Sequence, residues 1–232
     1  GVTAVSEDLK KDTYKHFNVM REIEVIPNFI DLTKFKRQRK DHFKTAICPN
    51  GEKLIVHTSN FRKVKRVDDV VRIFHKISET VPSRLLLVGD GPERGQIEAL
   101  CRELGIYDEV RFLGKLEAVE EVLSVADLFL MPSEKESFGL AALEAMACEV
   151  PVISSNVGGI PELNINGVTG FTSNVGDIDE MTKNALHVLS DDNLETFKTN
   201  ALKQAKTFDI DTILPQYEKF YSDVRAAVLT TT

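Results

Sequence analysis

Two glutamates eight positions apart enclose a stretch that could bind a phosphorylated ligand. Glu136 and Glu144 lie in "EKESFGLAALE", where Ser-Phe-Gly leads into an alanine-rich segment that favours a helix. The first amides of a helix have no partners within the helix, and that end carries about half a positive charge. Phosphate binds at such an end, and a glycine there lets the ligand approach the backbone closely.

The spacing of the two glutamates suits a nucleotide-sugar. A helix that begins near Gly139 exposes the amides of Phe138, Gly139 and Leu140, and places Glu144 ~6–8 Å along its axis. The Glu144 side chain tilts back toward the amino-terminal end, where the hydroxyls of a ribose would meet it. Glu136, on the preceding loop, would face the sugar beyond the diphosphate. The other interpretation stays open: Glu136 stabilises the helix dipole as a first-turn acid, and Glu144 is a solvated surface residue.

A cationic turn, "SNFRKVKR", follows the predicted strand Lys53–Thr58 and supplies the positive charge that a diphosphate requires. Arg62 can bind a phosphate through two parallel hydrogen bonds, and Lys65 can act as a point charge. A solvated basic turn is the alternative. We favour binding, because this turn lies at the carboxyl end of a strand in an acidic protein.

A glycine turn, "VGDGPE", follows the next predicted strand. Gly89 and Gly91 would either line a ligand pocket or allow a tight connection between strand and helix. The turn is not a dinucleotide-binding fingerprint, because G-x-G-x-x-G requires glycine at the position of Arg94 and the glycine is Gly95 instead. The sequence therefore gives little support to a nicotinamide dehydrogenase, which ranks behind the two kinds of nucleotide-sugar-binding protein described below.

The elements that position these residues alternate between strand and helix. Nearly continuous apolar runs predict strands that are covered on both faces. The predicted strands are residues 2–5, "IEVIP", "KLIVHTS", "RLLLVGD", "EVRFLG", "DLFLMPS" and "PVISS". The predicted helices start with one capped by Ser6 and continue with residues 67–80, 92–104, 118–124, 139–148, 178–190, 193–207 and 211–227. This order predicts an α/β fold with a doubly wound, Rossmann-like parallel sheet, whose ligands lie beyond the carboxyl ends of the strands.

The charge balance restricts the class of partner. The 232 residues include 29 Lys and Arg and 36 Asp and Glu, which gives a net charge of −7. A general nucleic-acid-binding protein presents a basic face, so we expect no nucleic-acid partner. We interpret the one basic run as a solvated surface loop. It consists of Lys34, Lys36, Arg37, Arg39 and Lys40.

The cysteines and histidines show no metal-binding pattern. Cys48, Cys101 and Cys148 are widely spaced, and the five histidines form no H-x-x-x-H pair. This favours reduced thiols in a cytoplasmic protein without a structural metal. No apolar run reaches the ~20 residues of a membrane span, and no signal peptide is visible. The chain opens without methionine, as if midway through a strand, so we expect a fragment of a longer protein.

Taken in order, these segments resemble the C-terminal half of the retaining glycosyltransferases of family GT4, which have the GT-B fold. The resemblance covers nearly all of the chain, and its most specific part is the family's E-x7-E motif at Glu136 and Glu144. The other segments that carry it are "SNFRKVKR", "LLLVGDGPE", "VRFLGK", "ADLFLMPS" and "GGIPELNINGVTGF". The cationic turn departs from the G-R-L-x-x-x-K-G of many relatives. Whether Lys65, Lys63 or Arg66 contacts phosphate therefore stays open.

The resemblance implies roles for individual residues. Arg62 and Lys65 would bind the diphosphate, Glu136 would bind hydroxyls of the donated sugar, and Glu144 would bind the ribose. The remaining implied contacts are made by Ser137, Phe138, Gly139 and Leu140 with the phosphates, by Gly114, Lys115 and Leu116 with the uracil, and by Gly89 and Gly91 along the pocket wall. No metal or other cofactor is implied, because fixed cations and a helix end replace Mg²⁺.

The resemblance also implies a reaction. The segments "HTSNFRKVKRVDDVV" and "SEKESFGL" are most similar to family members that transfer N-acetylglucosamine from UDP-GlcNAc to L-malate in bacillithiol biosynthesis, with retention at the anomeric carbon. Two alternatives remain: a family member with another donor or acceptor, and a non-catalytic module that binds a nucleotide-sugar. The sequence leaves a homo-oligomer open.

The same resemblance divides the chain into three parts. Residues 1–26 would be the end of an N-terminal acceptor domain with its connector, 27–210 the nucleotide-sugar domain, and 211–232 a C-terminal helix that crosses back. The Pro and Asn residues of "VIPNFIDLTKF" support the first boundary. Without the acceptor domain, we expect weak UDP binding and no turnover.

Overall fold

Strands and helices alternate along most of the chain. A computed structural model describes residues 1–38 and 41–229. Within these residues the strands are β1 (Val2–Ala4), β2 (Ile23–Val25), β3 (Lys53–Thr58), β4 (Ser83–Val88), β5 (Val110–Gly114), β6 (Leu128–Met131), β7 (Val152–Ser155) and β8 (Gly170–Ser173). The helices are α1 (Glu7–His16), α2 (Asp41–Ile47), α3 (Val67–Ser78), α4 (Arg94–Glu103), α5 (Val119–Leu123), α6 (Leu140–Ala147), α7 (Ile160–Leu163), α8 (Ile178–Leu189), α9 (Asp191–Ala205) and α10 (Ile210–Leu229).

The predicted elements are all present, with ends within two residues of those expected. The predicted cap of α1 is confirmed, because the Ser6 hydroxyl accepts a hydrogen bond from the backbone N–H of Leu9 at 3.1 Å. Three elements were not expected: α2, α7 and β8. They contain 7, 4 and 4 residues, so they are too short to show a clear periodicity.

Six strands form one parallel sheet in the spatial order β5-β4-β3-β6-β7-β8. Successive side chains of a strand point to opposite faces. Leu54 and Val56 of β3 therefore pack into one core with α5, α6 and part of α9, while Ile55 packs into a second core with α3, α4 and α8. Both faces of the sheet are covered, as the nearly continuous apolar runs predicted.

The direction of winding changes between β3 and β6. The chain runs from β3 to β4 and β5 on one side, then starts β6 on the other side of β3 and continues to β7 and β8. The loops that follow β3 and β6 therefore leave the sheet in different directions and open a crevice between them. Ligands of open α/β sheets bind in such a crevice.

The first segment of the chain lies against the last helix. β1 and β2 pair in parallel, and Tyr217 of α10 donates a hydrogen bond from its hydroxyl to the backbone O of Ile26 at 3.0 Å. Phe220 lies so close to Gly1 that a side chain at Gly1 would overlap its ring. A C-terminal helix that crosses back would make these contacts. The boundaries at residues 26 and 210 stay predictions.

The basic run is only partly a solvated loop. Lys36 is exposed, but the Lys34 Nζ lies 3.7 Å from a Glu120 carboxylate oxygen, and Arg37 donates a hydrogen bond to the backbone O of Ala126 at 3.2 Å. Residues 39 and 40, the last two of this run, lie outside the described residues. Lys34 is solvated as predicted, since its side chain is 50% exposed, whereas at Arg37 the prediction is wrong, because this half-buried side chain bonds the backbone beside α5.

Candidate functional site

Four loops meet at the carboxyl edge of the sheet and are joined by backbone hydrogen bonds. We call residues 59–66 the cationic turn, 89–93 the glycine loop, 133–139 the acidic loop and 156–159 the diglycine loop. Three hydrogen bonds join the loops, from Glu134 N to Val64 O (2.8 Å), from Glu93 N to Phe61 O (3.1 Å) and from Gly159 N to Glu136 O (3.1 Å), and a fourth, from Gly89 N to Gly114 O (2.7 Å), joins the glycine loop to the end of β5. The loops therefore hold one another in place before any ligand arrives.

The acidic loop ends at an open helix end. Gly139 precedes α6 with a φ of +95°, a left-handed conformation that favours glycine, and a side chain there would overlap Ile160. In the part of the chain that the structure describes, the amides of Gly139, Leu140 and Ala141 have no acceptor. The Phe138 ring is buried and packs edge-on against Phe208 at 5.5 Å, so Phe138 contributes backbone only. Open amides of this kind could bind phosphate, and phosphate binding by this helix end stays a prediction.

The cationic turn and the acidic loop are joined by an ion pair. The Lys65 Nζ lies 2.5 Å from the Glu136 Oε1, and the two side chains are 25% and 15% exposed. Arg66 is held by two carboxylates, at 2.5 Å from Asp69 and 3.0 Å from Glu134. The structure thus brings Lys65 and Glu136 together, whereas Arg66 forms its ion pairs with Asp69 and Glu134.

Arg62 lies apart from the ion pair of Lys65 and Glu136. It is exposed, and within the described residues its guanidinium makes no hydrogen bond or ion pair. Together with Lys63 it borders a cavity of about 320 Å³ beside α3 and α4. The structure therefore does not join Arg62 to Lys65 or Glu136.

Glu144 is a half-buried carboxylate whose side chain has no partner in the part of the chain that the structure describes. Its pKa is raised from the ordinary 4.5 to about 7, chiefly by burial; the positive charge of Lys34 opposes this shift, and the negative charge of Glu120 adds a smaller contribution to it. No hydrogen bond or ion pair involves its side chain within residues 1–38 and 41–229. A desolvated acid that lacks hydrogen-bond donors can accept them from the hydroxyls of a ligand. The interpretation of Glu144 as a solvated surface residue is therefore wrong.

The glycine loop packs directly against the cationic turn. Gly89 has a φ of +125°, and side chains at Gly89 and Gly91 would overlap the backbone carbonyls of Ser59 and Asn60. Their glycine identity is explained by this close packing of two backbones. After β5, which ends at Gly114, come the exposed Lys115 and Leu116, the residues expected at the uracil.

A buried histidine supports the start of the cationic turn, and sequence reasoning missed it. The His57 Nδ1–H donates to the backbone O of Leu130 at 2.8 Å, so Nε2 accepts a hydrogen bond from the Ser59 hydroxyl at 2.8 Å. The same hydroxyl accepts from the backbone N–H of Phe61, whose φ is +36°. Burial lowers the pKa of His57 to about 4, which keeps the ring neutral. A signal was present, since His and Ser two residues apart share one face of a strand.

The diglycine loop fixes the backbone of Glu136, and sequence reasoning also missed this role. A side chain at Gly158 would overlap the carbonyl oxygen of Glu136, and the amide of Gly159 donates to that same oxygen. Glu136 is therefore positioned by its main chain as well as by Lys65. The available signal was "GGIPE", in which two glycines precede a proline at the start of a helix.

The cysteines are buried, free thiols, as expected. Burial raises the pKa of Cys48 and Cys101 to about 11 and that of Cys148 to about 12, so none is a reactive thiolate. Among the residues that the structure describes, no three His, Cys, Asp or Glu side chains cluster as metal ligands would. No helix in this part of the chain combines the length and apolar character of a membrane span.

Comparison with known sequences places these loops in a family. Residues 38–204 match the family model of glycosyl transferases group 1. The chain is 45% identical over 226 residues to N-acetyl-alpha-D-glucosaminyl L-malate synthase of Bacillus anthracis, which covers 96% of this chain and 59% of that protein. It is 31% identical over 216 residues to D-inositol 3-phosphate glycosyltransferase of Mycolicibacterium smegmatis, which covers 88% of this chain and 49% of that protein. The chain thus spans about half the length of these relatives.

Solved structures agree with the fold. Sucrose-phosphate synthase of Thermosynechococcus elongatus superposes with a TM-score of 0.88 at 27% identity, over 97% of this chain and 58% of that one. Anabaena HepE, solved with UDP and glucose, superposes with a TM-score of 0.89 at 24% identity, over 96% of this chain and 63% of that one. The predicted fold, an α/β domain of the GT-B type, is confirmed. The chain belongs to the group 1 family of glycosyltransferases.

Proposed function

We propose that this chain is the nucleotide-sugar-binding half of a retaining glycosyltransferase that transfers N-acetylglucosamine from UDP-GlcNAc to L-malate. The observation that carries the proposal is the pairing of an open helix end with a desolvated, unpartnered Glu144 one turn further along the same helix. A ligand that satisfies both must present phosphate and hydroxyls side by side. The 45% identity to the malate synthase of Bacillus anthracis supports this donor and this acceptor over others.

The proposed ligand lies across the four loops. The ribose binds Glu144, the phosphates bind the backbone from Ser137 to Leu140, and the uracil lies against residues 114–116. Lys65 and Arg62 contribute the positive charge. Arg62 has to turn from the cavity beside α3 toward the diphosphate, and this movement breaks no hydrogen bond or ion pair with a described residue.

The ion pair of Lys65 and Glu136 gives the proposal a chemical basis. Lys65 contacts Oε1 of Glu136, so the second carboxylate oxygen is left to accept hydrogen bonds from the sugar. Lys65, which has three N–H donors, can keep this contact and still bind phosphate. One side chain thereby places a positive charge between the sugar and the leaving group.

In the proposed reaction, the binding half stabilises the leaving group. Negative charge gathers on UDP as the glycosidic bond breaks and the sugar becomes oxocarbenium-like. Preorganised hydrogen-bond donors act on that charge, and the loss of one such donor typically costs ~10²–10³ in rate. An exposed helix end contributes ~0.3–1 kcal/mol, so the two cations contribute most. We propose front-side attack, in which the departing phosphate takes the proton of the acceptor hydroxyl. We also propose that the reaction requires no metal or other cofactor.

The proposal assigns the acceptor to a second domain. Residues 1–26 are the end of that domain and its connector, 27–210 bind the nucleotide-sugar, and 211–232 cross back to it. This chain alone then binds UDP weakly and transfers nothing. Because UDP-GlcNAc and malate are metabolites of the cytoplasm, we propose that the protein works there.

Calorimetry of this chain with UDP, UDP-GlcNAc, ADP-glucose and NAD tests the proposal. We expect heat of binding with UDP and UDP-GlcNAc and none with NAD. A preference for ADP-glucose would identify a family member with another donor. Binding of NAD without any response to UDP would contradict the proposal, and so would measurable transfer to malate by this chain alone.

A catalytically silent sugar-nucleotide module is the second possibility. The presence of both glutamates and both cations, Glu136, Glu144, Arg62 and Lys65, favours an active transferase. The full-length protein decides between the two. Binding of UDP-GlcNAc without transfer to malate or to any hydroxy acid would favour the silent module.

A further inference from the structure

The start of α1 contacts the acidic loop from outside the proposed nucleotide-sugar domain. The Ser6 hydroxyl donates a hydrogen bond to the backbone O of Ser137 at 2.7 Å, and it accepts one from the backbone N–H of Leu9. Ser6 itself is buried. One hydroxyl therefore caps α1 and holds the loop that leads to the open helix end.

A second contact fixes α1 in the same place. The carboxylate of Glu162, in α7, accepts hydrogen bonds from the backbone N–H groups of Glu7 and Asp8, each at 3.0 Å. These two amides belong to the first turn of α1, where orphan N–H groups and the helix dipole favour an anion. Glu162 thus fills the anion site of α1 from within the protein.

Gly159 provides the space for this junction. A side chain at Gly159 would come within 2.8 Å of the Cβ of Ser6 and would overlap the carbonyl of Ser137. The amide of the same glycine donates to the carbonyl of Glu136. The diglycine loop therefore touches α1 on one side and the acidic loop on the other.

The peptide geometry transmits the contact to the phosphate site. In a trans peptide the C=O of one residue and the N–H of the next point in opposite directions. When Ser6 holds the carbonyl of Ser137, it aims the N–H of Phe138 away from α1. That N–H has no acceptor in the described part of the chain, and it begins the run of open amides at Phe138, Gly139 and Leu140.

We propose that Ser6 and Glu162 are positioning residues for the diphosphate. Ser6 sets the Ser137–Phe138 peptide, and Glu162 holds α1 so that Ser6 can do so. This inference rests on the proposed function, because it concerns the same phosphate site. It makes the segment before residue 27 a part of nucleotide binding, in addition to any part that it takes in binding the acceptor.

Replacement of Ser6 by glycine tests the inference most directly. Glycine is nearly as good as serine at a helix cap, so α1 should remain folded, but the hydroxyl that holds Ser137 is lost. We expect Ser6→Gly to bind UDP about 3–10-fold more weakly. Its binding of uridine should not change, because uridine lacks the phosphates.

Glu162→Gln should weaken UDP binding in the same direction by a smaller factor, because the amide oxygen still accepts one hydrogen bond. Glu180→Gln is the matched control, since Glu180 is also an exposed first-turn acid, but on α8. Calorimetry gives the affinities, and thermal unfolding shows that each variant is folded. A Ser6→Gly variant that is destabilised must still show the difference between UDP and uridine.

Two outcomes overturn different claims. If the unaltered chain binds UDP and Ser6→Gly binds it equally well, or loses UDP and uridine in equal proportion, the positioning role is wrong and the proposed function stands. If the unaltered chain gives no response to UDP, the proposed function fails, and the inference fails with it.

Discussion

Both edges of the sheet carry acidic and basic side chains, but in the described part of the chain these side chains are paired with one another at the amino edge, whereas polar groups are left without partners at the carboxyl edge. At the amino edge, a cavity of about 530 Å³ is bordered by Lys44, Asp127, Glu195 and Lys198. Asp127 is buried and accepts hydrogen bonds from Lys44 at 2.7 Å and from the backbone N–H of Leu54 at 2.8 Å. Lys198 lies 2.7 Å from Glu195 and 4.0 Å from Asp127. Each of these four charged side chains has a partner of opposite charge within the described residues.

At the carboxyl edge, several polar groups are left unsatisfied. Glu144 is desolvated without a partner, the open amides of α6 have no acceptor, and Arg62 makes no ion pair within the described residues. A cavity lined with charges is therefore not by itself a sign of a binding site. The sign is a set of polar groups that the fold leaves for a ligand to complete.

The largest effect is expected at the amino edge. Replacement of Asp127 by alanine leaves Lys44 and the amide of Leu54 without their carboxylate, and it removes one of the two carboxylates near the buried Lys198. The loss of one partner of a buried ion pair typically costs ~3–5 kcal/mol, and we expect the free energy of unfolding to fall by about that much. Urea unfolding measures it. UDP affinity of the folded fraction should not change, and a selective loss of UDP binding would mean that the edges are not independent.

At the carboxyl edge, the largest effect is expected for Lys65. In the full-length protein, Lys65→Ala should lower the rate of transfer ~10²–10³-fold, because a preorganised positive charge at the leaving group is lost. Lys76→Ala is the matched control. Lys76 lies near the end of α3, away from the cationic turn, and forms an ion pair with the exposed Asp179 of α8. Steady-state kinetics distinguishes them. Equal rates for the two variants would remove Lys65 from the site.

Glu144→Gln should change stability and binding in opposite directions. The raised pKa of about 7 means that folded Glu144 keeps a proton that the unfolded chain has already lost above about 4.5. The free energy of unfolding therefore falls as the pH rises through this window, and the Gln variant escapes that loss. At pH 8 the variant should be more stable by up to about 3 kcal/mol, whereas at pH 4 the two proteins should be equal. Urea unfolding at both pH values checks this.

Glu144→Gln should also lower the affinity for UDP ~10–100-fold, since hydroxyl groups form stronger hydrogen bonds with a carboxylate than with an amide. Hydrogen bonds from the ribose favour the charged carboxylate, so UDP affinity of the unaltered chain should fall as the pH drops from 8 to 6. The Gln variant should lose that part of the dependence. Identical pH profiles of the two proteins in calorimetry would place the ribose elsewhere.

The smallest effect is expected for an exposed ion pair at the amino edge. Lys53 lies 3.1 Å from Asp191, whose side chain is 94% exposed. Exposed pairs contribute little, so Asp191→Asn should change the free energy of unfolding by less than ~0.5 kcal/mol. A larger change in urea unfolding would show that pairing at this edge stabilises through the whole cluster and not through Asp127 alone.

Features that depend on neighbouring residues could be predicted from the sequence, whereas contacts between residues far apart in the chain could not. Apolar runs fixed the strands, and the residues around Gly139 predicted the open helix end, because both signals lie within a few neighbouring residues. The contact of Ser6 with Ser137 spans 131 positions, and no periodicity encodes it. Sequence also treated Lys65 and Arg62 alike, whereas only the fold decides that Lys65 reaches Glu136 and that Arg62 does not.

The close packing of the diglycine loop against the carbonyl of Glu136 limits how this protein could be redesigned. Since a side chain at Gly158 would overlap that carbonyl and the amide of Gly159 donates to it, a shift of the Glu136 backbone would require both loops to move together. Under the proposed function, a different choice of sugar would then come from new side chains around this backbone, and libraries that vary the length of either loop should give fewer folded proteins.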